Sequence, residues 1–296
     1  MTAPVGRVGR PSAGSDPLVS LLSSFSLHAG VFYTGNICGV HDFDRDTQRG
    51  HLHLVRRGAV RLEGKDQLVY DITEPTLVFL PRPEFHRLIA DNGAGADVVC
   101  GTVNFGGGRN PITDSLPDVV MIELSRLQGV DLILSLMFQE AFADGPGRQA
   151  VLDRLCEVLI VLLLRHCVGH RVTRGGSLAG LADSRLAPAL RAMHDAPATG
   201  WTLEALAQVA HMSRARFAER FRTVTGMTVV EYLTLWRLMS AQRLLVNGMA
   251  PKAVAHEVGY ANASALARAF TRKFGVSPLA WLRAQPSSSE KETIGA

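Results

Sequence analysis

From about residue 25 to residue 125, apolar and polar positions alternate with a period of two. The alternation is clear in His51-Leu52-His53-Leu54-Val55 and in Ala59-Val60-Arg61-Leu62, and Thr76–Leu80 is a short apolar run ended by Pro81. Turn signals recur at Arg57-Gly58, Glu63–Asp66, Asp91-Asn92-Gly93 and Gly106–Gly108. Many short strands with regular turns predict a sandwich or barrel. The period changes near Ser125, where Leu127–Phe142 and Gln149–Val168 read as helices. The second is apolar around much of its circumference, so protein must cover most of it. Either the β-domain or a second copy of the chain can serve as that cover. Gly169–Asp183, with Arg174-Gly175-Gly176-Ser177, reads as a linker, and from Ser184 onward short turns punctuate helices. Met1–Asp16 and Gln285–Ala296 read as polar, disordered tails.

The C-terminal third carries an internal repeat. Ala218–Leu233 lines up with Ala267–Leu282, and Leu206-Ala207-x-x-Ala210 with Val254-Ala255-x-x-Val258. Each copy predicts helix, turn, helix, turn, helix. Thr202 caps Leu203–Ala210 and Ser213 caps Arg214–Val224, the spacing of a helix-turn-helix. Gly226 closes the second helix, and Thr228-Val-Val-Glu231 reads as a capping box for a long third helix, Val229–Val246. In the second copy Pro251 opens a helix ended by Gly259. A further helix runs from Asn262 or Ala263 to Phe274, Gly275 ends it, and Ser277-Pro278 opens the last. Phe217 and Phe221, four apart, form a core face, as do Leu266 and Phe270.

Charge sharpens this picture. The chain has a formal net charge of +4, but Ser184–Ala284 holds thirteen Lys/Arg against five Asp/Glu. A basic module joined to a mildly acidic remainder points to a polyanion. The longest apolar stretch, Val158–Leu164, is too short for a bilayer span, which needs about 20 residues, and Met1–Asp16 has no apolar run of a secretory signal. Cys38, Cys100, Cys156 and Cys167 are scattered, with no CxxC pair. That argues against a disulfide framework and for a reducing cytoplasm.

Over Trp201–Arg283, and most clearly over Val258-Gly-Tyr-Ala-Asn-Ala-Ser-Ala-Leu-Ala-Arg-Ala-Phe-Thr-Arg-Lys-Phe-Gly-Val-Ser-Pro-Leu-Ala-Trp-Leu-Arg283, the chain resembles the paired helix-turn-helix domain of AraC-type transcriptional regulators. The resemblance implies that Arg214–Val224 and Ala263–Phe274 are recognition helices for double-stranded DNA, held about 34 Å apart by Val229–Val246. Their outward faces nominate Arg214, Ala215, Arg216, Ala218, Glu219, Arg222, Ser264, Ala265, Arg268 and Arg272 as DNA-binding. Arginine can fork onto guanine or clamp phosphate, and alanine can meet a thymine methyl. The base-facing positions are alanine-rich (Ala215, Ala218, Ala263, Ala265, Ala267), so phosphate contacts and DNA shape carry more of the expected specificity.

Residues 25–125 resemble the cupin-type sensory domain of many such regulators, on His51-Leu-His53-Leu-Val-Arg-Arg-Gly58, Phe79-Leu-Pro81-Arg-Pro-Glu-Phe-His86, Cys100-Gly101 and Leu116-Pro117. The fold expected is therefore α+β: a cupin-like β-barrel, then helices, then an all-α domain of two helix-turn-helix units. The boundaries are 1–17 tail, 18–125 sensory domain, 126–168 candidate dimerisation helices, 169–184 linker, 185–284 DNA-binding domain and 285–296 tail. His51 and His53, two apart, point to one face of a strand. With His86 they form a candidate site for an effector or a divalent metal such as zinc or iron. The pattern departs from metal-binding cupins: the His-x-His lies too close to Gly58, no glutamate follows at the expected spacing, and Pro75 replaces a glycine. The three histidines then remain pocket or core groups. Cys38 and Cys100 are a candidate redox pair, whereas Cys156 and Cys167 read as packing.

The function expected is a sequence-specific regulator controlled through its N-terminal domain by a small molecule, a metal or an oxidant. The resemblance further implies activation; RNA polymerase as partner and a homodimer through the helices after the β-domain are expected, with no catalytic motif and no membrane partner. The alternatives are a metal-dependent cupin oxygenase carrying a DNA module and an architectural DNA binder.

Overall fold

The structure, a computed structural model, describes residues 17–23, 27–43, 49–65, 68–105, 110–127 and 129–284. Both sequence tails lie outside these, apart from Pro17. After a short helix α1 (Pro17–Ser23) come eight strands: β1 (His28–Ile37), β2 (Gly39–Phe43), β3 (Gly50–Arg57), β4 (Val60–Glu63), β5 (Val69–Ile72), β6 (Thr76–Leu80), β7 (His86–Ala90) and β8 (Ala96–Asn104). Then α2 (Pro111–Asp114) and β9 (Val120–Glu123) complete the β-domain. All pairings are antiparallel and fall into two sheets, β1-β8-β3-β6-β9 and β2-β7-β4-β5. Among the described residues the ladder does not close into the expected barrel, and the domain is a two-sheet sandwich.

The five-stranded sheet is covered on both faces. Val55, Val78, Leu80, Val98 and Cys100 face the four-stranded sheet and join its core, while Leu52, Leu54, Leu77, Phe79 and Val99 join the core beneath the helices. This double covering explains why β6 is a continuous apolar run buried along its length. Helices α3 (Asp131–Ala141) and α4 (Arg148–Gly169) follow. β1 is an edge strand, and α4 shields it: Gln149 Nε2 donates to Val31 O (2.6 Å) and Val31 N donates to Asp153 Oδ1 (3.0 Å). Backbone groups that would otherwise template another strand are thereby satisfied.

The segment read as a linker contains a helix, α5 (Gly176–Ala182), with Ser177, Leu178, Gly180 and Leu181 buried. Helix α6 (Ala187–Asp195) leads into α7 (Leu203–Val209), α8 (Arg214–Thr225), α9 (Val229–Val246), α10 (Pro251–Glu257), α11 (Ala263–Phe274) and α12 (Pro278–Arg283). The caps are those read from the sequence. Thr202, Ser213, Asn262 and Ser277 accept from the first turns of their helices, Thr228 and Glu231 form the reciprocal box, and Gly226 and Gly275 end α8 and α11 at φ 73° and 77°. That left-handed backbone favours glycine because it lacks a Cβ.

α9 straddles two cores. Tyr232, Leu233, Trp236 and Met239 belong to a core that also holds Phe217, Phe221 and the helical side of the β-domain. Leu238, Ala241 and Leu245 belong to a separate core with Val254, Val258, Leu266 and Phe270. No described helix is long and apolar enough to cross a membrane.

Candidate nucleic-acid interface and histidine cluster

The hydroxyl cap of Ser213 starts α8 and the amide cap of Asn262 starts α11, so both helices begin at defined residues. Burial of Phe217 and Phe221 on one, and of Leu266 and Phe270 on the other, turns the opposite faces outward. Arg214, Ala215, Arg216, Glu219 and Arg222 are exposed on α8, and Ser264, Arg268 and Arg272 on α11. Ala218 and Ala265 are half-buried at the edges of these faces. Arg214 Nε stands 2.9 Å from Glu204 Oε1 of α7, an exposed ion pair between the two helices of the unit. Three further residues of these helices went unremarked in the sequence: exposed Thr223 and Lys273, and Arg220, whose guanidinium meets Asp183. Only the fold shows that Arg214 and Arg220 are already paired with carboxylates. The exposed faces are narrow, small and basic, a shape that enters a major groove about 12 Å wide.

The three histidines converge inside the sandwich. The register β3–β8 sets His53 beside Cys100, and β2–β7 sets Phe43 beside His86. Across the gap between the sheets, His53 Nε2 and His86 Nε2 are 2.8 Å apart. His53 Nδ1 lies 3.1 Å from Cys100 Sγ, and His86 Nδ1 lies 2.9 Å from Glu84 O. The Phe43 ring stacks on His86 at 5.0 Å. His51, facing the same interior, is 4% exposed and its Nδ1 has no hydrogen-bond partner. Burial, reinforced by His86, lowers the His51 pKa to about 4; burial likewise lowers those of His53 and His86. The cluster is thus neutral at pH 7.

As arranged, His53 and His86 do not fit a tetrahedral zinc ion. Two imidazole nitrogens on one tetrahedral zinc stand about 3.3 Å apart, given bonds of roughly 2.0–2.1 Å. The His53–His86 separation is shorter and is that of a direct hydrogen bond between the two rings. Among the described residues no three His, Cys, Asp or Glu are grouped to hold a metal.

The cysteine pair is also separated. Cys38 follows Ile37, whose partner is Ala96, whereas Cys100 pairs with Tyr33. Four to five residues of strand, roughly 15 Å, divide them, while a disulfide needs Cα atoms within about 7 Å. Cys38 is exposed, and burial pushes the Cys100 thiol up to about 12. Cys156 and Cys167 are buried in the helical core.

A β-sandwich joined to two capped helix-turn-helix units with small basic faces defines a DNA-binding regulator. A cupin family model matches residues 16–169, and a helix-turn-helix domain model matches residues 206–284. The chain is 31% identical over 234 residues to the RCS-specific HTH-type transcriptional activator RclR of Escherichia coli, covering 76% of this chain and 81% of that protein. It is 33% identical over 260 residues to an AraC-like transcription regulator of Streptomyces antibioticus, covering 76% and 84%. Among solved structures, the DNA-binding domain of AdpA in complex with target DNA is 33% identical, covering 34% of this chain and 93% of that one at a TM-score of 0.33. The chain belongs to the AraC-like transcriptional regulators, with an N-terminal cupin domain and a C-terminal helix-turn-helix domain. It is a DNA-binding regulator of transcription, and these relatives favour that role over a cupin enzyme.

Proposed function

We propose that the protein activates transcription as a homodimer, recruiting RNA polymerase at a promoter when its β-domain receives a signal. The observation that carries the DNA side is the pair of outward basic helices, α8 and α11, fixed at the two ends of α9. Arg268 and Arg272 on α11 and Arg214, Arg216 and Arg222 on α8 are the DNA contacts in this reading, with Ala215, Ala218, Glu219, Ser264 and Ala265 shaping the faces. The DNA partner sets the working compartment as the cytoplasm. The buried His51 Nδ1 without a partner supports the β-domain as the receiving end, since such a group costs free energy until something bonds to it. The name of the relative RclR supports activation.

An operator recovered by selection from genomic fragments, then titrated by fluorescence anisotropy at fixed salt, tests the DNA side. Arg268→Ala and Arg214→Ala should each weaken binding by about 1–3 kcal/mol if they bond to base edges. Unchanged affinity in both would remove these faces from the interface.

A further inference from the structure

α5 is wedged between the two halves of the molecule. On one side it meets α2 of the β-domain. Leu178 N donates to Ser115 Oγ (3.3 Å), Arg174 N donates to Ser115 O (2.9 Å), and a Cβ at Gly176 would lie 2.3 Å from Ser115 Oγ. On the other side it meets the first helix-turn-helix unit. A Cβ at Gly180 would lie 2.5 Å from Leu190 Cδ2 and 3.2 Å from Thr225 Cγ2 of α8. Ser177 Oγ accepts from the Tyr232 hydroxyl of α9 (3.1 Å). Any side chain at Gly176 or Gly180 would clash, so the backbone of α5 packs directly on its neighbours, and a packed interior has no slack to absorb a shift.

An ion-pair cluster sits at each end of this helix. Before it, the Asp118 carboxylate bridges Arg174 and Arg82, the latter at 2.5 Å. Arg82 also donates to Thr113 O (2.5 Å) and Leu116 O (3.1 Å), and it lies four residues before His86. After it, Asp183, 10% exposed, receives Nε (3.2 Å) and Nη2 (2.5 Å) of Arg220 from α8. Asp183 also accepts the N–H groups of Arg185 (3.0 Å) and Leu186 (3.1 Å) at the entry to α6. The second unit is built otherwise: its core holds no residue before Leu238.

We propose that α5 couples the β-domain to the first recognition helix selectively, through Arg82–Asp118–Arg174 at one end and Asp183–Arg220 at the other. The second recognition helix meets the rest of the molecule through α9 and through the turn at Gly259, which packs on Ala198 beyond α6, and it makes no contact of this kind with α5. A change at the histidine cluster would pass through the Pro81–Phe85 loop to Arg82 and α2, and from there to α5 and α8. The signal direction rests on the reading of the β-domain as sensor, but the mechanical coupling does not.

Amide hydrogen exchange of the full chain, resolved by peptide mass spectrometry, tests the coupling without a signal or an operator. Asp118→Asn, at a side chain 60% exposed, should speed exchange in α5 and α8 by about two- to five-fold while α11 stays unchanged. Asp183→Asn should do the same in α8. Acceleration that stops at residues 111–120, or that is equal in α8 and α11, overturns the proposal. If Asp118→Asn loosens the whole chain, Arg174→Gln removes the same bridge from a side chain 61% exposed and decides by the same criteria. Coupling in a chain that binds no selected DNA would overturn the functional reading alone, and operator binding with uncoupled helices would overturn the coupling alone.

Discussion

His51, His53 and His86 show what one residue type does when three copies are forced inside a sandwich. Their pKa values are lowered by burial, to about 4 for His51 from an ordinary 6.5. As pH falls below about 6.5 the unfolded chain takes up protons that the folded chain refuses. Stability is therefore fully present above that pH and is lost as pH falls toward the folded-state value near 4. At pH 5.5 His51 should cost about 1 kcal/mol. The thermal midpoint should drop between pH 7.5 and pH 5.5, and drop less in His51→Gln. A midpoint equally pH-dependent in both proteins would show that His51 is not held neutral. The i, i+2 spacing of His51 and His53 made their common face legible in the sequence. Their grouping with His86 came only through the family resemblance, because it depends on one sheet lying across the other, and the meeting of His53 with Cys100 depends on the register of β3 on β8. The same limit applied to Cys38 and Cys100, paired as candidates by residue type and separated by strand register.

At the scale of elements, α9 is legible nearly to the residue because its capping box and its closing turn are local chemistry. What makes it a rigid spacer is not local. Arg237 Nε donates to Pro197 O (2.7 Å) and its Nη2 to Thr199 O (2.9 Å), tying the middle of α9 to the turn before α7. Burial lowers the Arg237 pKa, but its guanidinium stays charged at any working pH. Arg237→Ala should loosen the angle between the two reading heads. The readout is operator phasing: inserting one base pair between the two groove contacts should cost wild type more affinity than the variant. An equal penalty in both would show that α9 alone sets the spacing. Helix α5 illustrates the opposite case. Its Gly176, Gly180 and short length read as linker, since an isolated helix below about 12–15 residues is marginal in water. It exists because Leu178 and Leu181 are buried between two domains.

At the scale of the whole molecule, the apolar circumference of α4 is divided. Leu152, Leu159, Ile160, Leu163 and Leu164 are buried, whereas Val151 and Val158 are exposed, as are Leu132, Leu136 and Phe142 on and beside α3. Burial against the β-domain thus accounts for one side, and the exposed side is the surface we assign to a second copy. Leu132→Glu with Val158→Glu should convert dimer to monomer in sedimentation velocity. A wild-type chain that sediments as a monomer at tens of micromolar would remove the assignment.

The C-terminal domain was determined by the sequence itself: the caps and the two faces are encoded within about four residues of one another, where helix geometry leaves little choice, and the repeat states them twice. The order of β before α was equally plain in the change of period. Tertiary structure decided the rest: a sandwich of two sheets rather than a closed barrel, a His53–His86 hydrogen bond that spans the sheets, and a linker that is a buried helix. Each of these turns on which distant surfaces meet, and burial against a partner far away in the chain overrides what short-range propensity specifies.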